Sequence, residues 1–161
     1  MVHNLGSGHC YSTDSVTGED YVGGLVGSGS GTITNCYSTG TVWGETDVGG
    51  FAGHSYTGGT VNNSFWDTES SRQLTSAGGT GKTTGEMQMQ STFAGARWDI
   101  MGEAANSYGN TWRLCNERGE YPKLSWQYLS NLSNLGDSHL LRIKKHEIEG
   151  VRKLMVKAVS Y

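Results

Sequence analysis

The sequence predicts an all-β chain: a fragment of a right-handed β-solenoid (parallel β-helix) with an α/β C-terminal cap. Three observations carry that expectation. First, Val22-Gly23-Gly24-Leu25-Val26-Gly27 returns as Val48-Gly49-Gly50-Phe51-Ala52-Gly53, and Cys10-Tyr11-Ser12-Thr13 returns as Cys36-Tyr37-Ser38-Thr39, both at an offset of 26 residues (48 − 22 and 36 − 10). A tandem unit this small cannot bury its apolar face alone and must stack on the next copy. Second, 25 glycines stand beside one proline, Pro122, but also beside eight Tyr, five Trp and three Phe. That mixture supplies packing material, so the glycines mark turns and close backbone approach rather than a flexible linker. Third, short β-type runs at residues 21–26, 32–34, 36–38 and 41–43 are separated by glycine corners, and none has a helical period.

Taken in order, residues 1–67 read as the repeats. Tyr11, Tyr37 and Phe65 form one expected aromatic ladder, pointing inward, and Ile33 with Val61 form an aliphatic one. The third unit is longer: Thr32-Ile33-Thr34-Asn35-Cys36-Tyr37 aligns with Thr60-Val61-Asn62-Asn63-Ser64-Phe65 at an offset of 28 (60 − 32), with the insertion near residues 54–59. Cys10 and Cys36 are stacked neighbours. Adjacent strands lie about 4.7–4.9 Å apart, a spacing that admits a disulfide. The preferred reading is two small buried thiols in a core ladder, because Ser64 fills the third equivalent position.

Residues 68–128 read as a loop and a Trp-rich closing cap. Residues 68–85 are polar and glycine-rich and read as loop; Thr84 reads as the N-cap of a short helix with Glu86 in its first turn. Trp98, Trp112 and Trp126 are expected to close the exposed end of the stack, since soluble arrays need caps. Residues 129–161 read as a basic amphipathic or poorly ordered tail. Ile148, Val151, Met155 and Val159 share a helical face that Gly150 weakens. A docked or poorly ordered tail is preferred over one lying on a membrane.

Charge and motifs then narrow the function. The formal net charge is −3, split into −6 over residues 1–128 (six Lys/Arg, twelve Asp/Glu) and +3 over residues 129–161 (six Lys/Arg, three Asp/Glu). An acidic body lacks the basic footprint that nucleic acid requires. No stretch reaches the roughly 18 apolar residues of a membrane helix. The N-terminus has no basic and apolar signal regions, and the chain starts in mid-repeat, which points to a fragment separated from its upstream repeats and export signal. Gly79-Thr80-Gly81-Lys82-Thr83-Thr84 lacks the earlier glycine of a phosphate loop, where Ser76 stands. His146-Glu147-Ile148-Glu149-Gly150 lacks the second histidine of a zinc helix. Glu19 and Glu45 occupy equivalent positions and are the carboxylates to weigh for catalysis or a weak cation site, but in glycine-rich corners acids are ordinarily solvated. Trp43, Trp66 and Tyr56 are the aromatics that could stack on a sugar, with packing against a neighbouring turn or the cap preferred. The sequons at Asn62 and Asn131 are short enough to arise by chance. No catalytic, cofactor-binding or metal-ligating residue is assigned, and no cofactor is expected.

The blocks Gly24-Leu25-Val26-Gly27, Gly50-Phe51-Ala52-Gly53 and Asn35-Cys36-Tyr37-Ser38-Thr39-Gly40 resemble the GLUG repeat family of bacterial surface proteins. Residues 63–67 and 121–126 look like the closing segment such proteins carry. The resemblance covers about residues 6–127. It implies a secreted or surface-attached, adhesin-like protein with no catalytic residue of its own, placed outside the cell or on its surface. The expected function is a non-catalytic structural or adhesive module; the alternative is a fragment of a carbohydrate-binding or carbohydrate-processing β-helix. Expected partners are surface glycans, host or cell-surface proteins, and further copies joined through the open solenoid edge.

Overall fold

The computed structural model describes residues 8–54, 59–100, 111–114 and 119–127. The chain divides into two compact units, Met1–Lys123 and Leu124–Tyr161.

In the first unit one pass of the chain supplies β1 (Tyr11–Ser12), β2 (Val16–Thr17) and β3 (Asp20–Gly23). The next supplies β4 (Thr32–Thr34), β5 (Tyr37–Ser38), β6 (Val42–Trp43) and β7 (Thr46–Gly49). Then come β8 (Thr60–Asn62), β9 (Phe65–Asp67) and β10 (Thr80–Lys82). Successive passes pair in parallel, and their register is the sequence repeat: Tyr11 with Tyr37, Val16 with Val42, Val22 with Val48, then Tyr37 with Phe65 and Ile33 with Val61. A parallel bridge joins Val26 to Ala52 inside the Gly-Gly blocks. The order β1-β5-β9-β10 makes one four-stranded sheet.

Glycines recur where backbones meet. A Cβ on Gly23 would overlap the carbonyl oxygen of Val26, and one on Gly49 the carbonyl oxygen of Ala52. One on Gly50 would enter the Trp66 indole. The backbone also repeats at residues with side chains: Tyr21 and Asp47 share a left-handed conformation (φ 55° and 51°), as do Asn35 and Asn63 (φ 54° and 46°). Asn tolerates that region through local hydrogen bonding.

Strand side chains alternate between faces, and this corrects one expectation. Cys36 faces the core formed with Ile33, Phe51, Ala52 and Trp66, on which Cys10, Leu25, Val26 and Val61 pack. Tyr37, one residue on, points the other way. The ladder of Tyr11, Tyr37 and Phe65 is in register, with the two tyrosine rings stacked at 5.1 Å and 6°, but it lies on the face opposite that core. It is covered there by a second aromatic cluster. Trp112 packs on Tyr11 and Tyr37 (6.1 and 5.8 Å between centroids), and Trp98 and Phe93 pack on Tyr37 and Phe65. Trp98 and Trp112 are wholly buried, 4.7 Å apart. These tryptophans therefore cover the flank of the ladder, spanning its three rungs, rather than the end of the stack. Trp126 lies in the second unit and is exposed.

Residues 68–85 are not all loop. Asp67 caps α1 (Thr68–Ser71) by accepting from the Glu69 and Ser70 N–H groups at 2.9 and 3.0 Å. β10 then pairs with β9, Thr80 against Phe65. Before it, Ser76 Oγ accepts from the N–H groups of Phe51 and Ala52 (3.1 and 2.8 Å), and Ala77 N–H donates to the Ala52 carbonyl. The second Gly-Gly block has edge groups that need partners, and this polar segment supplies them. The next helix, α2 (Thr84–Met87), is capped by Thr83, one residue before the expected cap, in a capping box with Glu86. α3 (Gln90–Gly95) delivers Phe93 to the aromatic cluster, and β11 (Trp112–Arg113) bridges to Ile100 through Trp112. The helical face expected from Ile148, Val151, Met155 and Val159 lies outside the described residues, as does the whole 129–161 tail.

Candidate functional site: a tyrosine-lined groove

Where the ladder emerges beside residues 119–123, Tyr11, Thr13, Tyr37, Gly119, Glu120, Tyr121 and Lys123 line a cavity of about 320 Å³. β1 and β5 place Tyr11 above Tyr37, and Tyr121 stacks on the other side of Tyr37 at 6.2 Å and 19°. The order is fixed by hydroxyls. Tyr37 donates to the Pro122 carbonyl and is buried. Tyr121 donates to Asp67 Oδ2 at 2.6 Å. Burial, then the hydrogen bond and negative charge of Asp67, push the Tyr121 phenol up to about 12, so it remains a donor at neutral pH. At the rim Lys123 Nζ stands 3.8 Å from Glu120, an exposed and weak pair. The groove therefore offers tyrosine ring edges with an acid and an ammonium at its rim. Sequence reasoning missed the groove because Tyr121 meets Tyr37 across 84 positions (121 − 37), with no local signal.

The residues singled out from sequence fall elsewhere. Glu19 and Glu45 do stack, Glu45 N–H donating to the Glu19 carbonyl at 2.9 Å, and both are exposed. Among the described residues no three His, Cys, Asp or Glu converge to hold a metal. Trp66 is buried and its indole N–H donates to the Gln73 carbonyl at 3.4 Å. Trp43 is exposed, with the Arg72 guanidinium 5.6 Å from its ring centre. Tyr56 lies outside the described residues. Thr80–Lys82 is strand and Thr83 a helix cap, so residues 79–84 form no phosphate cradle. Cys10 and Cys36 are thiols, with Sγ atoms 3.1 Å apart. Among the described residues no helix is long and apolar enough to cross a membrane.

The family model of the GLUG motif matches residues 18–42, from the corner before β3 through the Gly-Leu-Val-Gly block to β6. The chain carries this motif, as Gly24-Leu25-Val26-Gly27 indicates, and the motif is a repeat found in extracellular proteins. No curated protein and no solved structure matches the chain.

Proposed function

We propose that the chain is a non-catalytic structural or adhesive repeat module of a secreted or cell-surface bacterial protein, wound as a right-handed β-solenoid. One observation carries this reading: parallel strand pairs whose register equals the 26- and 28-residue repeat, running through the GLUG motif. Glycines and apolar side chains are committed to contacts between passes, which is what a stalk needs. The acids at its corners, Glu19, Asp20, Glu45 and Asp47, are exposed, which favours a solvated surface over paired catalytic carboxylates. The partners proposed are surface glycans, host or cell-surface proteins and further copies of the chain, not nucleic acid. The test is co-sedimentation with insoluble polysaccharides and with whole cells, alongside an assay for new reducing ends. Binding without hydrolysis is expected; release of reducing ends rejects the non-catalytic reading.

The tyrosine groove favours a second reading, carbohydrate binding. Tyr11 and Tyr121 cover the two faces of Tyr37, so a sugar would meet ring edges together with the Glu120 and Lys123 side chains of the rim. Affinity electrophoresis in gels containing soluble polysaccharide tests it: retardation should be lost in Glu120→Ala and Lys123→Ala, which alter the rim and leave the buried rings in place.

A further inference from the structure

We propose that Cys10 and Cys36 form a cross-linking site, oxidised by a low-molecular-weight disulfide to a bridge that staples one pass of the chain to the next. The Cys10 and Cys36 Sγ atoms share a hydrogen bond at 3.1 Å, so the two sulfurs already meet. Their backbones are neighbours in the ladder, because Tyr37 N–H donates to the Cys10 carbonyl at 3.2 Å. Parallel neighbours lie about 4.7–4.9 Å apart, inside the roughly 4.4–6.8 Å range of Cα separations that disulfides span. The pair is singular in the column. At the third position Ser64 Oγ accepts from Cys36 N–H and donates to the Asn62 carbonyl, so the series ends in a hydroxyl that cannot cross-link.

The two thiols are not equivalent. Cys10 is half-buried and Cys36 fully buried. The hydrogen bond with Cys36 lowers the Cys10 thiol, while that same bond and burial push the Cys36 thiol up. Cys10 therefore attacks first. Its thiolate displaces one thiolate from the external disulfide and forms a mixed disulfide. Cys36 then loses its proton to solvent and attacks the Cys10 sulfur, forming the Cys10–Cys36 bond and releasing the second thiolate. Two protein thiols are oxidised, and one external disulfide is reduced to two thiols. The bridge lies where it has most effect. Among the described strands β1 pairs only with β5, whereas β5 lies between β1 and β9, so the bridge ties an edge strand of the four-stranded sheet to an inner one. Closing a loop 26 positions long restricts the unfolded chain. The extracellular occurrence of the GLUG motif supplies the oxidising setting.

The test treats the full chain with oxidised glutathione at mildly alkaline pH, blocks free thiols and maps peptides. Lys and Arg are absent before Arg72, so trypsin leaves both cysteines on one peptide, and a protease that cleaves after Glu19 separates them. The expected product is a Cys10–Cys36 linked pair, short of two hydrogens. Its melting temperature should exceed that of the reduced chain by about 10 °C, and dithiothreitol should reverse the gain. Cys115→Ser should keep this response, and Cys10→Ser and Cys36→Ser should each abolish it. Two free thiols after treatment, a mixed disulfide that never resolves, or a bridge from either residue to Cys115 overturns the proposal.

Discussion

Asp67 is a wholly buried carboxylate that faces four donors: the N–H groups of Glu69 and Ser70 on one oxygen, and the hydroxyls of Thr84 (2.7 Å) and Tyr121 (2.6 Å) on the other. It ties β9 to α1, α2 and the groove at once. Asp67→Ala removes a helix cap and strands two hydroxyls, for an expected loss of about 3 kcal/mol in urea unfolding. Asp67→Asn, which keeps an acceptor for the cap, should lose less. Tyr121 gives the matching pH dependence. Its phenol is raised from 10.0 to about 12 in the fold, so its contribution is complete below about pH 10 and is lost as pH rises through about 12. Absorbance at the phenolate band should show a late step near pH 12 that Tyr121→Phe removes; identical traces reject the Asp67 contact. For the tryptophans, Trp98→Ala and Trp112→Ala should each cost about 3–5 kcal/mol. Trp43→Ala, at a residue 53% exposed, should cost under about 1 kcal/mol. Comparable melts for Trp43→Ala and Trp112→Ala would mean that the second aromatic cluster is not a core.

The elements are made of two kinds of glycine, and a substitution series separates them. Gly23→Ala and Gly49→Ala drive a methyl into a carbonyl of the same turn, so both should destabilise strongly. Gly85 in α2 and Gly95 in α3 have nothing within 4 Å of an added Cβ, so Gly85→Ala and Gly95→Ala should each stabilise by about 0.5–1 kcal/mol in thermal melts. A uniform response would mean that the turn glycines are there for flexibility. Pairing of the strands was readable in the chain, because identical residues in consecutive copies seek the same register. Their facing was not. Cys36 and Tyr37 are both apolar, and alternation says only that they part, not which one meets the larger core. The strand at Thr80–Lys82 was also hidden, because part of its approach is bonded through the Ser76 hydroxyl rather than the backbone and reads as polar loop.

At the scale of the molecule, the passes form a ladder in which β1, among the described strands, pairs on one side only, with β5. Tyr37 and Thr39 N–H groups donate back to Cys10 and Ser12 at 3.2 and 2.9 Å; the counterpart of Thr39 one repeat earlier is Thr13, whose N–H faces off that edge. The proposed self-association then has a specific test. Sedimentation velocity should show mass rising with concentration, and Thr13→Pro, which removes an outward donor and no inward one, should suppress the rise. A concentration-independent monomer removes the edge as an interface.

What the sequence determined by itself is whatever the repeat encodes locally: a 26-residue unit, its glycine corners, the registers of Tyr11 on Tyr37 and Ile33 on Val61, and the GLUG motif. Each follows from stacking like on like, which needs no knowledge of the rest of the chain. What only the tertiary structure decided joins residues far apart in sequence: Trp98 and Trp112 on the flank of the tyrosine ladder, Tyr121 on Asp67, and the groove between Tyr11, Tyr37 and residues 119–123. Those contacts form because the outer face of the ladder is aromatic and must be covered. Which distant segment covers it is settled by packing and buried hydrogen bonds, not by any local pattern.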